Sequence, residues 1–202
     1  MKKFLLLASV LIGLPGAATA QTIVFINTSA AFNTVAGPTR VEDFEDRALL
    51  TGLSITSTTA NIAGGVLSDS LAPGVSTTFN FTSGQSAFGG VFDLSSAGQA
   101  GLSFTFALLG GGTQTLSQQV ANNCVFCFFG FTTTNPFLSV TLNSGTQGAG
   151  GESFTLNNLQ IASATTGAVP EPTTWAMMLI GFGGMGVALR RRRKTASISQ
   201  YA

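Results

Sequence analysis

The chain has 202 residues, 45% hydrophobic and only 8% charged, with no histidine, so Ser-His-Asp and Cys-His catalysis are excluded and the commonest zinc ligand is missing. This length accommodates one folded domain between two terminal segments. The formal net charge of +1 hides an acidic centre: between residues 21 and 169, Arg40 and Arg47 stand against seven carboxylates, net −5, without a lysine, which leaves no basic surface for nucleic acid.

The chain opens with Lys2-Lys3, an apolar run from Phe4 to Leu14, and Ala18-Thr19-Ala20 before Gln21. This order of cations, short apolar stretch and small-residue cleavage site predicts a secretory signal peptide over residues 1–20. Pro15-Gly16 interrupts the run, which disfavours an uncleaved anchor.

Residues 21–164 form the predicted extracellular domain, rich in Gly, Ser, Thr, Asn and Phe. Alternation predicts strands at 22–26, 40–44, 53–56, 61–67, 77–82, 87–94, 101–109, 113–120, 128–133, 137–142 and 152–162. Gly/Pro-rich turns such as Ala72-Pro73-Gly74 and Gly110-Gly111-Gly112 separate them. Phe79-Asn80-Phe81, Phe104-Thr105-Phe106 and Phe129-Gly130-Phe131 each put two aromatics on one face, the pattern of half-buried antiparallel strands. The expected fold class is therefore all-β, an antiparallel jelly-roll-like β-sandwich, with at most a helical turn within residues 40–50.

Without histidine, carboxylates are the remaining candidates for chemistry. Glu42, Asp43, Glu45 and Asp46 cluster, with Asp69, Asp93 and Glu152 elsewhere. A facing pair in a cleft would suit glycoside hydrolysis, while solvated acids at strand ends are the plainer reading. Cys124 and Cys127 lie just before a predicted strand; in an exported chain a local disulfide is favoured over a redox motif, which would need a βαβ setting. Ice recognition would need a flat, regular Thr array, and Thr56, Thr58 and Thr59, or residues 132–134, form no repeating ladder.

Residues 165–172 supply a small polar linker and Pro170-Glu171-Pro172. Residues 173–189 then predict a transmembrane helix, and residues 190–202 a basic cytoplasmic tail beginning Arg190-Arg191-Arg192-Arg193-Lys194. From Pro172 to Leu189 such a helix reaches about 27 Å, enough for a thin membrane only. The cation block sets orientation, leaving the domain outside the cytoplasm.

Pro170, Glu171 and Pro172, followed after two residues by Trp175-Ala176, an apolar run and the cations, closely resemble the PEP-CTERM sorting tails of Gram-negative bacteria. The resemblance implies recognition by a membrane-embedded protease-transpeptidase, an exosortase, with inner-membrane transit and delivery to the cell surface or extracellular matrix. A second resemblance, carried by Val41–Asp46, Phe128–Thr133, Asn135–Val140 and Glu152–Leu159, is to exported galactose-binding-like sandwich passengers. Carried over by position, it places Asp43, Glu45 and Asn157-Asn158 together as oxygen ligands for a structural calcium ion; no other cofactor is expected. Asn157 stands where that family usually has Asp.

The expected protein is a non-catalytic exported surface or matrix protein, an exosortase substrate contacting extracellular polysaccharide and no nucleic acid. The alternatives are a carboxylate-dependent polysaccharide hydrolase and an envelope protein whose tail is a permanent anchor.

Overall fold

Phenylalanine dominates the interior: Phe44, Phe79, Phe88, Phe92, Phe104, Phe106, Phe131 and Phe137 are all fully buried in one cluster with Leu67, Leu71, Leu142 and Leu156. Their spacing follows from strand alternation, which turns every second side chain inward. A computed structural model describes residues 21–94, 100–164 and 179–182. The chain separates into two compact units, Met1–Ala164 and Thr165–Ala202.

In the first unit the elements run β1 (Ile23–Ile26), α1 (Ser29–Ala36), β2 (Arg40–Glu42), β3 (Leu53–Thr56), β4 (Asn61–Ala63), β5 (Val66–Leu71), β6 (Ser76–Asp93), β7 (Leu102–Leu108), β8 (Thr113–Thr115), β9 (Cys127–Ser144) and β10 (Glu152–Ser163). Every pairing between them is antiparallel, and the architecture is the jelly-roll-like β-sandwich.

Two long strands build both layers. The first part of β6 and the last part of β9 lie in a front sheet ordered β3-β6-β9-β7-β8. The remainder of each lies in a back sheet, where β9 carries β1 and β6 pairs with β10; β5 and β2 share the far edge of β10, and β4 flanks β5. The register between β6 and β9 breaks between Asn80 and Ala87, where both strands turn the corner from one sheet to the other. Pairs such as Phe79–Phe88, with ring centroids 5.3 Å apart and edge-to-face, fill the space between the layers.

Several expectations are corrected. Residues 77–82 and 87–94 belong to one bent strand, as do 128–133 and 137–142, because the corner residues continue the chain direction across the layers. The strand expected at 61–67 is a hairpin instead: Gly64 and Gly65 both take positive φ, 62° and 76°, and the chain reverses there. The strand expected over 113–120 stops at Thr115.

The helix is α1 rather than a turn within 40–50. Thr28 caps it, its Oγ1 accepting from the Ala31 amide at 3.3 Å, and Gly37 ends it at φ 75°. Phe32 anchors it to the outer face of the back sheet, over Gly89 and Gly130. A Cβ at Gly130 would stand 2.7 Å from the Phe32 ring, so only glycine admits the aromatic there. Phe32, Ile26, Ala87 and Ala162 make a second, smaller core outside the sandwich.

Candidate functional site

The acids are placed by the backbone they hold. Glu42 ends β2 and is buried; its carboxylate accepts from the amides of Phe44 at 3.0 Å and Leu50 at 2.7 Å, closing the loop between them. Phe44 is thereby pressed into the core at φ 58°, a left-handed conformation unusual for a bulky side chain. Asp43 and Asp46 accept from the Glu45 and Ala48 amides two residues on, which gives turns where a helical turn was expected.

Asp69 is 6% exposed and sits on β5. Ser57 donates to Oδ2 at 2.6 Å, Thr59 to Oδ1 at 2.5 Å and the Ser70 amide to Oδ1 at 2.7 Å, and Thr77 donates to Oδ2 as well. Burial opposes ionisation, but these donors together hold the carboxyl below its usual range. Asp69 therefore staples the segment after β3 to β5 and β6. Glu152, also buried, accepts from the Gly101 amide at 2.8 Å and from the Ser153 amide at 3.0 Å.

The segments that carry the expected calcium ligands Asp43, Glu45 and Asn157 run close to a bulge in β10. The register breaks between Asn157 and Gln160, with Asn158 at φ 47°. Glu42 pairs with Leu159 and Leu67 with Leu156, so the Asp43–Glu45 segment and the Gly64-Gly65 turn both approach this bulge. Glu45 Oε1 and the Asp43 carbonyl lie against Gly65. Asn157 Oδ1 is buried without a hydrogen-bond partner. Among the described residues no three His, Cys, Asp or Glu side chains gather where they could hold a metal. Cys124 and Cys127 are joined by a disulfide, with Cα atoms 5.6 Å apart.

The outer face of the front sheet carries an arrangement that the sequence did not disclose. Register puts Thr56, Thr78, Thr141, Thr105 and Thr115 side by side, one from each of the five strands. The next row reads Ser54, Asn80, Ser139, Ala107 and Thr113, and a third contains Ser76, Asn143 and Ser103. Neighbouring hydroxyls are bonded across strands: Thr78 with Thr141 at 3.0 Å, and Thr105 with Thr115 at 3.1 Å; the Asn80 amide donates to Thr56 at 3.2 Å. None of these positions carries a charge or an aromatic ring. Thr56 was visible in the sequence only as part of a local cluster; the ladder exists through pairing between distant strands.

At one corner of this face a cavity of about 310 Å³ opens beside Thr56, Ser76 and Thr78. Another of about 310 Å³ lies over Asp69, Ser70 and Ser153 on the back sheet.

The signal peptide of residues 1–20, the linker, the sorting residues Pro170, Glu171, Pro172, Trp175 and Ala176 and the cations Arg190–Lys194 lie outside the described residues. Within the expected transmembrane stretch, residues 179–182 are helical, with Leu179, Ile180 and Phe182 exposed. Among the described residues no helix is long and apolar enough to cross a membrane.

No curated protein matches the chain. Among solved structures, a mutant of CBM29-2, described as probing ligand recognition by family 29 carbohydrate binding modules, is similar to it at a TM-score of 0.46 and 9% identity, covering 67% of this chain and 99% of that one. A second CBM29-2 mutant is similar at 0.42 and 9%, covering 67% and 98%. Residues 168–193 match the family model of the PEP-CTERM protein-sorting motif. The chain thus joins a β-sandwich to a PEP-CTERM sorting motif, which marks it as an exported protein.

Proposed function

We propose that this is a non-catalytic passenger, exported across the inner membrane, processed by an exosortase near Pro170-Glu171-Pro172, and delivered to the cell surface or extracellular matrix, where its sandwich contacts polysaccharide. The sorting motif at residues 168–193, following a compact sandwich, is the observation that carries this reading. In it, residues 173–189 hold the chain in the membrane during transit and Arg190–Lys194 stay cytoplasmic. The acid side chains favour binding over hydrolysis: Glu42, Asp69 and Glu152 are occupied by donors belonging to the fold.

The test is the intact mass of the protein from membrane and external fractions of its producing cell. A species beginning at Gln21 and ending near Val169 or Pro170 outside the cell is the expected result. A full-length tail found only in the membrane would overturn processing and favour a permanent anchor.

A structural calcium ion is a second reading, favoured by the buried, donorless Oδ1 of Asn157 on the strand that pairs, two residues further on, with Glu42 of the acidic segment. Amide and carboxylate oxygens are the ligands such a hard cation takes. Added calcium should raise the melting temperature of the protein, and Asp43→Asn with Glu45→Gln should abolish the rise. A chelator-treated sample that melts identically with and without calcium counts against the site.

A further inference from the structure

We propose that the bare outer face of the front sheet is the docking surface for a neutral polysaccharide, laid across the strands along the row Thr56, Thr78, Thr141, Thr105 and Thr115. This rests on the polysaccharide contact proposed above and names the place and chemistry of that contact.

Charge is the first argument. A merely solvated sheet face usually carries Lys, Glu, Asp or Arg, whereas the three rows on this face hold only Ser, Thr, Asn and a single Ala. Such a face neither attracts nor repels an ion, and no charge must be stripped of water when a ligand covers it. Its natural partner presents the same chemistry, hydroxyls that both donate and accept.

Preorganisation is the second. Cross-strand bonds from Thr78 to Thr141 and from Thr105 to Thr115 fix the hydroxyls in pairs, leaving acceptor lone pairs for a ligand. Threonine is β-branched and stiff at χ1, so ordering these side chains on binding costs little entropy.

Geometry gives the direction. Strands lie about 4.8 Å apart, so the five-residue row runs roughly 19 Å across the sheet. An extended β-linked pyranose chain advances by close to one strand spacing per ring, which brings successive sugars into step with successive threonines. The cavity beside Thr56, Ser76 and Thr78 leaves room at the end of the row for the polymer to continue or carry a substituent. With no aromatic platform, each sugar is held weakly, and affinity should rise with the number of strands spanned.

The experiment uses the full chain in non-ionic detergent, mixed with insoluble β-1,4-glucan, with a β-1,4-linked N-acetylglucosamine polymer, and with polysaccharide extracted from the producing cells. The parent is compared with the triple variant Thr78→Val, Thr105→Val, Thr141→Val, which keeps the side-chain shape and removes the hydroxyls. The control is Thr155→Val on the back sheet. The expected result is retention of parent and control on at least one neutral polymer, with a loss of about tenfold or more in the triple variant at unchanged melting temperature. Equal retention of parent and triple variant would overturn the docking face while leaving the polysaccharide reading intact. Failure of the parent on all three polymers would overturn both. Ice shaping by the parent, lost in the triple variant, would overturn the occupant in favour of an ice lattice on the same hydroxyl rows.

Discussion

The sandwich has two outer faces, and they are finished differently. On the back sheet the outward positions Ala87, Gly89, Gly130 and Ala162 are small and apolar, and α1 covers them by laying Phe32 against the glycines. On the front sheet the corresponding positions carry hydroxyls and amides, and no element of the described chain covers them. The chain uses the same two strands, β6 and β9, for both faces, so the difference lies in side-chain size and polarity alone. A face that removes its Cβ atoms makes room for its own helix; a face of threonines bonded to each other presents paired hydroxyls instead.

Breaking the covered face should have the largest effect. Phe32→Ala deletes the anchor of α1 and is expected to cost about 3–5 kcal/mol in urea or thermal unfolding. Gly130→Ala should cost about 1–3 kcal/mol, because its methyl would meet the Phe32 and Phe128 rings. Both changes leave the front face intact, so polymer retention below the melting temperature should persist. Loss of retention in proportion to stability would show that the two faces are not independent.

Asp69 ties the layers together, and its removal tests how far the comparison depends on that tie. Asp69→Ala leaves the hydroxyls of Ser57, Thr59 and Thr77 without their acceptor, at an expected cost of about 1–3 kcal/mol. The pH dependence has a definite sign. Because the folded carboxyl titrates below the ordinary aspartate value of 3.8, its contribution is complete above that value and is lost as pH falls through the lower folded pKa. Acid unfolding of the parent should therefore steepen below pH 3.8, and Asp69→Asn should remove that component.

The pattern of strands was legible because Phe-x-Phe alternation is local. Phe79 and Phe81, and Phe104 and Phe106, occupy the inner face as their spacing requires. The sorting motif was legible for the same reason, being a contiguous string. What the sequence hid is whatever depends on pairing at a distance. Ser29–Ala36 has no strong helical periodicity, and its helix is fixed by glycines that lie more than fifty residues later. Gly89 and Gly130 read as ordinary strand glycines until Phe32 is set against them. The threonine ladder was invisible because its members come from five strands, and the local clusters at 56–59 and 132–134 drew attention to the wrong neighbours.

The disulfide bears on the main core, which buries Cys124. Cys127 begins β9 opposite Phe92 of β6, at an end of the back sheet. Since the bridge closes a very short loop, replacing both cysteines by serine should cost about 2 kcal/mol on the chain-entropy account. Front-face retention should be unchanged, and a coupled loss would mean that the start of β9 controls the flatness of its other half.

The smallest expected effect on stability is also the sharpest. Replacing Thr78, Thr105 and Thr141 by valine removes hydroxyls that bond mainly to one another and keeps β-branched side chains in the strands. If these bonds exist chiefly to arrange the surface for a ligand, the melting curve should stay within about 0.5 kcal/mol of the parent, the range of ordinary surface substitutions. If instead the ladder holds the front sheet flat, the triple variant should unfold earlier while Thr155→Val does not. Melting curves of the three proteins in the absence of polymer separate these outcomes. Only the first leaves a row of paired threonines whose main use lies outside the molecule, as helix α1 is the use, inside it, of the glycines on the opposite face.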